Sequence, residues 1–158
     1  MRRRAARFLA LTWPDRRLLI QAIVGQPVLR LALWTVGFRR CHAVLNRLAP
    51  YSRTAPRAPG AALEEATRAA ALVRSAGLCG MLDRRCLTQS LTLWWLLRRR
   101  GIESEICIGV RKVGDSLEAH AWVEHSGIVL GEERDVSQRF TPLASTTDMS
   151  RLDGLSTL

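Results

Sequence analysis

The residue types best suited to covalent chemistry are Cys86 and, 34 positions later, His120 within Ala119-His120-Ala121-Trp122-Val123-Glu124. A thiolate is a strong nucleophile, but it needs a base within hydrogen-bond reach and a third group that orients the base. Cys86 opens an apolar helical pattern. In the first turn of a helix a thiol gains from orphan N–H groups and the positive dipole end, and Arg84 and Arg85 push the same way. Backbone N–H groups there, including that of Cys86 itself, would be available to an oxyanion. His120 sits in an alternating run that puts His120, Trp122 and Glu124 on one face and Ala119, Ala121 and Val123 on the other. If His120 faces the Cys-bearing helix it can meet the sulfur, and Trp122 on the same face is the candidate to line a substrate groove. The orienting carboxylate must come from Glu132, Glu133 or Asp135 downstream.

Each residue also has a plain structural reading. A Cys at a helix start is often a small buried hydrophobe, and a strand His is often a satisfied polar group. The change from helical to strand periodicity between them, in a chain with 3 His, favours the joint functional reading. The other cysteines offer less. Cys107 alternates with Ile106 and Ile108 and reads as core, Cys79 lies in the loop Gly77-Leu78-Cys79-Gly80, and Cys41 and His42 are helix neighbours that point apart. His125 falls in a turn and reads as solvated.

Punctuation divides the chain into residues 1–48, a helical region; 49–60, a linker with three Pro and one Gly; and 61–158, the working domain. In the first block Gln21, Gly25-Gln26-Pro27 and Arg30 interrupt the apolar run from Leu18 to Phe38, so a pair of short helices is expected rather than a membrane span. Surface attachment to a membrane stays open, because Arg residues flank both ends. The working domain starts with a helix from about Ala62 to Ala76. A second helix begins at Cys86 and turns Leu87, Leu91, Trp94 or Trp95, and Leu97 inward, with three Arg in its last turn and Gly101 as its stop. Strands follow at 104–110, 117–124 and 128–130 with short turns between them, an antiparallel meander. Helices before a sheet give an α+β fold.

With 158 residues and 47% hydrophobic content the chain can build a core without staples. A net charge of +10 carried almost wholly by Arg suits anionic partners, but no nucleic-acid-binding motif accompanies it, so nucleic acid is not expected. Four Cys without paired spacing fit neither a disulfide framework nor a metal site, which points to the cytoplasm and to no metal or cofactor.

The run from Cys86 through Ser90-Leu91, Trp94-Trp95 and Arg98-Arg99-Arg100-Gly101, with Ile108-Gly109-Val110-Arg111-Lys112, Ala119-His120-Ala121-Trp122-Val123-Glu124 and Arg139-Phe140-Thr141-Pro142-Leu143, resembles the leader peptidases of lasso-peptide biosynthesis. These are transglutaminase-like cysteine proteases, here in the short form whose leader-recognition domain is a separate chain. The resemblance covers roughly residues 60–143. It implies a transglutaminase-like, papain-like core in which Cys86 is the nucleophile and His120 the base. The family's Asp falls here at Glu132, with Asp135 as the substitute. It further implies removal of a leader peptide from a ribosomal precursor, a separate leader-binding protein, and an asparagine-synthetase-like cyclase as partners. The same Cys and His suit an acyltransferase, and a non-catalytic binding module with a core Cys86 is the third reading.

Overall fold

The computed structural model describes residues 11–49, 60–77, 85–132 and 136–145. Three helices come first: α1 (Trp13–Leu48), α2 (Ala61–Ala76) and α3 (Arg85–Arg98). Strands β1 (Glu105–Val113), β2 (Ser116–His125) and β3 (Ile128–Leu130) follow, then a single helical turn, α4 (Val136–Arg139), and β4 (Thr141–Ser145). All neighbouring strands pair antiparallel in the order β3-β2-β1-β4. This is the expected α+β architecture with one strand more than the meander. The added β4 carries Pro142, which an edge strand tolerates because no further neighbour needs its N–H.

Local chemistry explains the helix ends. Thr12 caps α1 by accepting from the Asp15 N–H, with Pro14 in the first turn. At the end of α3, the N–H of Gly101 (φ 65°) bonds to Arg98 O and that of Ile102 to Leu97 O, the paired bonds of a Schellman motif. The expected break at Gly25-Gln26-Pro27 is not observed. Helix α1 runs through Pro27, whose ring is exposed, and Gln26 Nε2 ties the same turn to Val73 O of α2 at 2.8 Å. The kink falls at Gly37 instead (φ 79°, ψ 170°), a conformation that only glycine adopts at little cost.

The sheet separates two apolar clusters. On one face, Ile106, Val123 and Leu130 pack under the three helices with Leu91, Leu96 and Leu97 of α3, Val73 and the small Ala66, Ala69 and Ala70 of α2, and Leu18, Ala22 and Leu29 of α1. Small side chains on α2 let the helices approach closely, and α1 shares this core. On the other face lies a smaller cluster of Cys107, Trp122, Val136 and Phe140. The expected linker lies almost wholly outside the described residues, as do Cys79, Arg84, Glu133 and Asp135.

Candidate active site

Strand β3 is short, and the site forms where it stops. The two-residue turn Ser126-Gly127, both at positive φ (51° and 75°), starts the β2–β3 ladder, which ends at the pair Val123 and Leu130. Antiparallel pairing alternates, so the next backbone groups to face that edge are those of Ala121, where β3 has no residue left to offer. Helix α3 supplies the missing partners. Ser90 Oγ donates to Ala121 O at 2.9 Å, and one turn earlier the Cys86 sulfur accepts from the Ala121 N–H. The first turns of α3 therefore take the place of a strand, and the nucleophile candidate is fixed one residue from His120.

His120 reaches the sulfur by a different route from the one its periodicity suggests. Its ring lies on the sheet face turned away from the helical core, where it stacks with Phe140 (centroids 5.1 Å apart) and Trp122 (6.3 Å). It meets Cys86 around the edge that β3 leaves open, and the two side chains are hydrogen bonded. Trp122, expected to line a groove, is 1% exposed. It forms part of the packed support for the imidazole, and its indole N–H donates to Glu124 Oε1 at 2.7 Å. Directly across from His120 on β1 stands Gly109. A Cβ there would lie 3.0 Å from Phe140 Cβ, Thr141 O and Trp122 Cη2, so a larger residue would press on the aromatic stack and the β4 backbone. Sequence reading missed Gly109, Phe140 and Ser90 as site residues. The Ile108-Gly109-Val110 strand pattern, where glycine usually marks a close approach, was the available signal for the first.

Glu132 follows the end of β3 and brings Oε1 to 3.8 Å from His120 Nε2, an ion-pair contact longer than a hydrogen bond. Two features deliver it there. Gly131 turns at φ 73°, with its Cα so close to α2 that a Cβ would sit 2.9 Å from Ala70 Cβ. Arg74 of α2 also donates from Nη1 to Gly131 O at 2.8 Å.

The electrostatics match the geometry. Burial raises the Cys86 thiol, but the hydrogen bond and charge of His120 and the N–H groups of Ala121 and Leu87 oppose it, and the net shift is downward. The imidazole is pushed up to about 9, first by the Cys86 sulfur and then by the Glu132 carboxylate, against its own desolvation. Both shifts favour the thiolate–imidazolium pair.

The remaining candidates are placed elsewhere. Cys41 is buried in the helical core, where desolvation raises its thiol, and His42 packs its ring on Phe38 and Trp94. His125 Nδ1 contacts Glu103 O at the far end of β2. Among the described residues, Glu105, Cys107 and Glu124 bring ligand-type atoms within 4.8 Å of one another on the Trp122 face. One oxygen there is already engaged by the indole, and Glu105 pairs with Glu124 towards the end of β2 away from the Cys86–His120 pair.

A Cys at a helix start, hydrogen bonded to a strand His whose Nε2 faces a carboxylate, is the arrangement of thiol acyl-transfer enzymes. Compared with known families, residues 32–145 match the profile of the transglutaminase-like superfamily. The chain belongs to that superfamily. Within it, the matched region begins in the second half of α1 and ends with β4, so it takes in the whole sheet and the Cys-bearing helix. No curated protein and no solved structure matches the chain. A transglutaminase-like domain of this kind is typically enzymatic, and the superfamily includes both cysteine proteases and acyltransferases.

Proposed function

We propose that the protein is a cysteine peptidase with a Cys86, His120 and Glu132 triad, and that it removes the leader from a ribosomally made lasso-peptide precursor. The observation that carries the peptidase reading is the Cys86–His120 pair at the start of α3, with its thiol lowered and its imidazole raised. The substrate class is supported by the residues that resemble lasso leader peptidases, from Cys86 to Gly101 and from Ala119 to Glu124.

The reaction follows from the placement of these groups. The Cys86 thiolate attacks the scissile carbonyl carbon, and the oxyanion takes hydrogen bonds from first-turn N–H groups of α3, which lack carbonyl partners within the helix. As the C–N bond breaks, the His120 imidazolium gives its proton to the leaving amine and becomes neutral, leaving a thioester on Cys86. The neutral imidazole then takes a proton from water as the oxygen attacks the thioester. Release of the carboxylate product restores thiolate and imidazolium. Glu132 keeps the imidazole oriented and stabilises its charged form. The resemblance to the short form of these peptidases implies that a separate protein binds the leader, with an asparagine-synthetase-like cyclase acting on the freed core peptide.

The test is mass spectrometry of the cognate precursor incubated with its leader-binding partner and either the wild type or Cys86→Ala. Cleavage at one bond by the wild type alone supports the reading. A leader–amine conjugate in place of two free peptides would assign the same thioester to an acyltransferase. Absence of both products with a folded wild type would leave a binding module.

A further inference from the structure

Helix α1 is apolar on two opposite sides, and the core covers one of them. Leu18, Ala22 and Leu29 face α2 and α3 and are buried. On the other side Ile20, Val24 and Leu31 follow one another at four- and seven-residue spacing and are 49%, 61% and 62% exposed, with Trp13 (74%) and Trp34 (80%) towards the two ends. From Trp13 to Trp34 this stripe runs about 32 Å at a rise of roughly 1.5 Å per residue. No charged residue falls between Arg17 and Arg30. A helix that is apolar all round is normally covered on every side.

Charge indicates what covers it. Residues 16–63 contain eight Arg and no Asp or Glu, and Arg17, Arg30 and Arg40 are exposed on α1. We infer that the exposed stripe of α1 rests on an anionic membrane surface, with the helix in the plane of the interface, its apolar side chains among the acyl chains and its arginines at lipid phosphates. The tryptophans fit the boundary, where an apolar ring and a polar N–H are both satisfied. Arginine stems can lie along the apolar layer while their guanidinium groups reach the headgroups. The helix cannot span the bilayer in this fold, because its opposite side is built into the core. A second copy is a poorer occupant, since two such faces would bring two sets of arginines together. An acidic peptide would leave the uncharged middle of the stripe uncovered. This inference is independent of the peptidase reading.

The test is flotation of the full-length protein with vesicles of phosphatidylcholine alone and of phosphatidylcholine with phosphatidylglycerol, at low and high salt. The wild type is expected to float with the anionic vesicles, less so at high salt, and poorly with the neutral ones. Val24→Asp/Leu31→Asp changes two exposed positions and should lower the bound fraction by about ten-fold or more, with its circular dichroism unchanged. If that variant misfolds, Trp34→Ser serves the same purpose with a smaller loss. Folded wild type that fails to float with anionic vesicles would overturn the inference. So would equal flotation of a folded stripe variant, which would leave arginine adsorption alone. A wild-type dimer in lipid-free buffer that the variant converts to monomer would assign the face to a second copy instead.

Discussion

Cys41 and Cys86 are one residue type in two environments that drive the thiol in opposite directions. Cys41 is enclosed by helices and desolvation raises it. Cys86 also loses water, yet its thiol is lowered, because it sits where β3 runs out and receives the Ala121 N–H, the Leu87 N–H and the His120 ring. Burial alone therefore makes a thiol inert. A thiolate needs donors aimed at the sulfur, and here an unfinished sheet edge and a helix start provide them.

The largest expected difference between the two is in catalysis. Cys86→Ala and His120→Ala should each reduce precursor cleavage by at least about 10³-fold, since members of a catalytic unit fail together. Cys41→Ala should leave the rate within about two-fold and cost roughly 1 kcal/mol of stability from the cavity left behind. Cleavage rates and thermal melts of the three variants separate the roles. Cleavage retained in Cys86→Ala would end the nucleophile assignment.

Glu132→Gln should come next, with kcat lower by about 10- to 100-fold and KM little changed, because an orienting acid contributes less than the nucleophile or base. The carboxylate helps hold the imidazole up at about 9. Removing it lowers that value, so the high-pH limb of the cleavage profile should move to lower pH in the variant. An unshifted limb would mean that another acid supports His120.

Thiol reactivity sharpens the comparison without needing a substrate. Protonation of the sulfur ends the Cys86–His120 ion pair as pH falls through the lowered thiol value, and loss of the imidazolium proton ends it as pH rises through about 9. Iodoacetamide should therefore label Cys86 at lower pH than an ordinary exposed thiol, while Cys41, raised by burial, stays unlabelled until the protein unfolds. His120→Ala should move the midpoint of Cys86 labelling upward. Peptide mass mapping across a pH series reads both cysteines at once.

Much of this site was legible because local chemistry specified it. Arg98 to Gly101 closes α3 through its cap, the 120s alternate as a strand, and Cys86 heads the helix as its pattern indicates. What the one-dimensional pattern could not carry was which sheet face meets the helices. Periodicity places His120 with Trp122, but only the early end of β3 at Leu130 shows that the ring approaches Cys86 around an edge. Glu132 was one of three nearby acids in the sequence. Its approach to His120 depends on the close contact of Gly131 with Ala70 and on the Arg74 bond, contacts between residues more than fifty positions apart. Pro27 misled for a related reason: tertiary anchoring by Gln26 and exposure of the ring let α1 continue where propensity alone would end it.

The smallest effect should come from Ser90→Ala, and it tests whether α3 completes the sheet edge. The hydroxyl is buried and donates to Ala121 O, so its loss leaves a buried carbonyl without that partner and should cost roughly 1–2 kcal/mol. Because the same residue's N–H meets the Cys86 sulfur, a loosened Ala121 should also raise the midpoint of Cys86 labelling, whereas a purely structural loss elsewhere in α3 would lower the melting temperature and leave labelling alone. Thr92→Ala is the matched control: its hydroxyl is equally buried, two residues along, but donates to Thr88 O within the helix. If both variants lose similar stability and only Ser90→Ala shifts the thiol, the sheet edge tunes Cys86. If neither shifts it, the lowered thiol rests on His120 and the Leu87 N–H rather than on the sheet edge.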